Sequence, residues 1–67
     1  MSGTVLQVVD AKSFWLLVIN TGDSIAEQPV ESRYMADIVA GEGLADPYEL
    51  VGWEVELSED GMTLAFL

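Results

Sequence analysis

The chain has 67 residues, 51% of them hydrophobic, with twelve Asp and Glu set against Lys12 and Arg33 for a net charge of −10. It has no Cys and no His, which excludes disulfides and the usual zinc sites, and its apolar content is too high for a disordered chain. Charge of this sign repels nucleic-acid backbones and anionic membranes and attracts basic proteins or cations.

Residues 4–9 (TVLQVV) are rich in β-branched types and predict a first strand. Asp10 to Ser13 supplies a four-residue turn into a second strand over 14–20, apolar on both faces. Asn20 to Ser24 is a loop by composition. Pro29 suits the first turn of a helix, with Glu27 and Glu31 near its positive end. Val30, Tyr34 and Ile38, with Met35 and Val39 beside them, form one apolar stripe, and Gly41 stands where a cap belongs. The spacing therefore predicts a helix over 29–40.

Asp46-Pro47-Tyr48-Glu49 has the form of a capping box and predicts a single turn ended by Gly52. Residues 53–57 then alternate, with Trp53, Val55 and Leu57 on one face and Glu54 and Glu56 on the other. Ser58 to Gly61 reads as a turn, and residues 62–67 close a second hairpin with Met62, Leu64 and Phe66 inward. The expected fold is a single α+β domain of ββαββ order. Two hairpins flank one helix, which packs on one face of a four-stranded antiparallel sheet. Leu16 and Val55 are expected in the core. The second sheet face then carries Trp15, Leu17 and Ile19 together with Glu54 and Glu56, and a homodimer or another partner is expected to cover it.

Catalytic constellations are scarce. Lys12 is the only lysine, in a turn, which gives a Ser–Lys arrangement little support. Glu54 and Glu56 have the spacing of a carboxylate pair, yet a solvated strand face accounts for them better than a cleft in so small a domain. The calcium-loop pattern is absent, and Gly41-Glu42-Gly43 is not a dinucleotide fingerprint. Trp15, Tyr34, Tyr48 and Trp53 read as core more readily than as a ligand platform. The expectation is a protein without enzymatic activity, cofactor or metal.

The acid is concentrated late in the chain: residues 31–67 hold nine of the twelve carboxylates. Glu42, Asp46, Glu49, Glu54, Glu56, Glu59 and Asp60 are the candidate partner-binding residues, facing a basic protein surface. The leading reading is an acidic protein-binding module. Its narrower form is an inhibitor that imitates nucleic-acid charge and blocks a basic nucleic-acid-binding enzyme, in the manner of phage anti-defence proteins. A subunit docking by its sheet edge or open face belongs to the same class. The alternative is a structural or subunit domain from a halophile, whose acidity suits molar internal salt. The N-terminus lacks the basic and apolar regions of a signal peptide, and the longest apolar run, Phe14 to Ile19, is too short to span a bilayer as a helix. A cytoplasmic location is expected.

Overall fold

A computed structural model describes residues 1–59 and 64–66. Its elements in chain order are β1 (Ser2–Asp10), β2 (Phe14–Asn20), β3 (Ile25–Glu31), α1 (Ser32–Glu42), a 3-10 turn (Pro47–Leu50), β4 (Glu54–Leu57) and β5 (Leu64–Phe66). All five strands join one antiparallel sheet in the order β3-β2-β1-β4-β5. The first three strands form a meander. The chain then returns through α1 to lay β4 beside β1, which is the 4-1-2-3 arrangement of a Greek key. The α+β class and both expected hairpins are present, but the sheet has a fifth strand, and the helix follows β3 instead of β2.

The extra strand occupies 25–31, of which 29–31 were expected to begin the helix. Pro29 is the cause of the difference. It pairs with Leu16 on an edge strand, where a residue without an N–H is tolerated. Gly22, at φ 92°, and the Asn20 carboxamide, which accepts from the Gly22 N–H at 2.9 Å, make the β2–β3 hairpin turn.

α1 begins three residues later than expected, after Glu31, and ends two residues later than expected. Gly43, at φ 69°, forms the left-handed cap that the sequence suggested for Gly41. Its N–H donates to the Ala40 carbonyl and that of Leu44 donates to Val39, the paired bonds of a Schellman ending. Asp46 and Glu49 do form the expected capping box at the 3-10 turn.

The core lies between the sheet and α1. It is built from Val5, Val8, Leu17, Ile19, Val30, Met35, Ile38, Leu50, Val55, Leu57 and Leu64. Leu17 and Ile19 therefore share the inner face with Val55 and Leu57, and Leu16 is only half-buried on the opposite face. This reverses the expected assignment of β2. A strand apolar on both faces does not reveal which face meets the helix, and the pairing through β1 decides it. A bulge between Val5 and Gln7 lets Val5 and Val8, three residues apart, both turn inward.

Trp15 and Trp53 pack at the core's margin, Trp15 edge-on to Tyr48 and Trp53 edge-on to Phe66. Tyr34 and Tyr48 are exposed, contrary to their expected place in the core. Val30 of β3, Tyr34 of α1 and Leu64 of β5 line one cleft. The Tyr34 hydroxyl donates to the Leu64 carbonyl at 3.3 Å, tying α1 to β5. The expected inward position of Met62 and the rest of that turn lie outside the described residues.

Candidate docking face

The sheet surface turned away from α1 is the candidate site. Strand pairing places its residues in rows. Val9, Leu16 and Pro29 form one row, Gln7, Val18 and Glu27 the next, and Thr4 lies between Glu54 and Asn20 in a third. Phe14 sits beside Glu31 at one end, and Ile25 pairs with Asn20 toward the other. The apolar residues of the face thus gather toward its Phe14 end, while Gln7, Glu27, Thr4, Asn20 and Glu54 make the following rows mostly polar. Leu6, Phe14 and Ile25 are 46%, 38% and 56% exposed, and Val9, Leu16 and Val18 are half-buried.

Four exposed glutamates share this face: Glu27 and Glu31 on β3, either side of Pro29, and Glu54 and Glu56 on β4, beside Thr4 and Ser2 at the other end of β1. Among the described residues the only ion pair joins the Met1 ammonium to Glu56 at 3.0 Å. Neither Lys12 nor Arg33 meets a carboxylate there. Lys12 sits in the β1–β2 turn at φ 76°, its N–H bonded to the Asp10 carboxylate.

The seven carboxylates singled out from the sequence do not form one cluster. Glu54 and Glu56 share the open face. Asp46 and Glu49 are brought together by the capping box, where the Glu49 carboxylate accepts from the Ala45 and Asp46 N–H groups. Glu42 is at the end of α1 and Glu59 follows β4, both exposed. Asp60 lies outside the described residues. Glu27 and Glu31, which sequence reasoning assigned to a helix dipole, belong to the open face instead. The signal that could have found them is the weak alternation of 25–31, with Val30 inward and Glu27, Pro29 and Glu31 outward.

Among the described residues no group of three or more acidic side chains is placed to hold a metal ion, and no helix is long and apolar enough to cross a membrane. No family model matches the chain, and neither curated proteins nor solved structures provide a similar one.

Proposed function

We propose that the chain is a non-enzymatic, acidic protein-binding module that docks through its open sheet face on a basic protein surface. The observation that carries this reading is the pattern of that face: exposed apolar residues toward its Phe14 end, four exposed glutamates on β3 and β4, and no Lys or Arg among its residues. Protein interfaces commonly combine an apolar patch with polar surroundings, and the charge would steer the encounter. In its narrower form the target is a surface that otherwise holds nucleic acid. The high density of negative charge supports that form.

The test compares immobilised wild type with a Leu16→Ser and a Glu27→Gln, Glu54→Gln bait in low salt. Basic proteins retained by the wild type, released by salt and lost from both variants support the proposal. Equal retention on all three removes the open face from the interface. Release of the captured protein by added duplex DNA favours the nucleic-acid-competing form.

A second reading rests on a separate observation. Asp37 and Glu42 on α1, and Asp23 in the β2–β3 turn, are exposed away from the open face, so acid is spread round the molecule. This is what environmental adaptation to high salt would leave. Circular dichroism separates the two: a chain unfolded in low salt that folds only in molar KCl points to the environment.

A further inference from the structure

We infer that Pro29, with the Gln28 side chain, closes the β3 edge to strand addition and so keeps copies of this chain from pairing along it; the inference is independent of the docking role proposed above. β3 is an outer strand of the sheet, seven residues long. Such an edge presents a row of unpaired N–H and C=O groups, a template for another extended chain. The ladder fixes which groups face outward. The Ala11 N–H donates to the Phe14 carbonyl, so alternation makes Val9 with Leu16, and Gln7 with Val18, hydrogen-bonded pairs. Leu16 and Val18 therefore turn their backbone groups to β1. Their β3 partners, Pro29 and Glu27, turn theirs out of the sheet, and by the same alternation so do Ile25 and Glu31.

Pro29 has no N–H, so the outward row is broken between Glu27 and Glu31. Its carbonyl is the one group left there for an incoming strand, and the Gln28 side-chain amide donates to it at 3.3 Å. The outward residues on either side, Glu27 and Glu31, are exposed and charged. Two copies meet this block in every useful register. With Ile25, Glu27, Pro29 and Glu31 facing outward, any antiparallel pairing of three or more of them brings both prolines into the ladder. The centred register sets Glu27 opposite Pro29. Shifted one way, Glu27 faces Glu27 of the second copy; shifted the other way, it faces Glu31, and like charges directly opposite destabilise a pair. A partner that docks on this chain does so elsewhere than along β3.

The test follows self-association of the full chain by sedimentation and maps it by amide exchange, in about 0.5 M salt so that charge repulsion is screened. Wild type is compared with Pro29→Val, which restores the N–H with a residue suited to a strand, and with Pro29→Val, Gln28→Ala. Wild type should show fast exchange at Ile25, Glu27 and Glu31 and no association through β3. Pro29→Val should associate at least about tenfold more strongly, since each pair of copies regains one donor from each edge, and the same amides should become slow. Removing Gln28 as well should strengthen it further. A third variant, Glu27→Gln, Glu31→Gln, keeps the proline and should stay unassociated even in low salt. Wild type that pairs through protected β3 amides overturns the inference. So does a Pro29→Val chain that keeps the wild-type far-UV spectrum and associates no better. Should Pro29→Val fail to fold, the third variant decides: association of that chain makes charge, not the proline, the block.

Discussion

Gly3 faces the core side of β1, opposite Val55. A Cβ there would stand 2.5 Å from the Ile19 Cγ2 and 2.8 Å from the Asn20 carbonyl oxygen. Neither neighbour gives easily, because Ile19 is fully buried and the Asn20 oxygen belongs to the backbone. Gly3→Ala should destabilise the chain by about 1–3 kcal/mol, the usual cost of overpacking, read as a lower urea midpoint. An unchanged midpoint would mean that β1 does not approach β2 as closely as described. Leu17 and Leu16 are adjacent but unequal: Leu17 has no exposed surface and Leu16 is half-buried on the open face. Leu17→Ala should cost about 2–5 kcal/mol, as core truncations do, and Leu16→Ala much less. Equal losses would show that the open face is packed against something in solution.

At the scale of the element, α1 offers a contrast between two glycines. Gly43 takes the left-handed conformation that ends the helix, and Gly41 lies within it with open space where a Cβ would go. Gly41→Ala should stabilise the chain by about 0.5–1 kcal/mol, because alanine is the better helix former. Gly43→Ala should destabilise it by about 1 kcal/mol through the left-handed penalty. A thermal melt of the two variants checks the opposite signs. Reading Gly41 as the cap is a two-residue error with a local cause: glycine marks a helix end by type, and either glycine of Gly41-Glu42-Gly43 satisfies that rule. β3 is the larger omission. Its alternation is weak, Pro29 resembles a helix start, and the strand is stabilised by pairing with β2, a contact between segments that no local pattern displays.

Across the whole molecule, a net charge of −10 repels itself in the folded state more than in the expanded one. Screening should relieve this. If the acid serves a partner, the chain folds cooperatively already at about 0.01 M salt, and its melting temperature rises as salt is increased to about 0.15 M and the Debye length shortens. A chain that is unfolded at the lower salt would favour the environmental reading. The same screening should weaken docking of a basic partner, so fold stability and binding are expected to move in opposite directions with salt.

Local pattern alone was enough for β2, for the β4 alternation and for the capping box at Asp46, because each is settled by spacing within a few residues. The sign of the surface and the absence of Cys and His are likewise fixed by composition. Tertiary structure decided which side of β2 is core, because a strand apolar on both faces is assigned only by its neighbours in the sheet. It also decided where the acid gathers. Glu54 and Glu56 face outward by their own alternation, but Glu27 and Glu31 join the same surface only because β3 pairs beside β2. A surface shared by four strands depends on long-range register, and register is set by the packing of the core against α1.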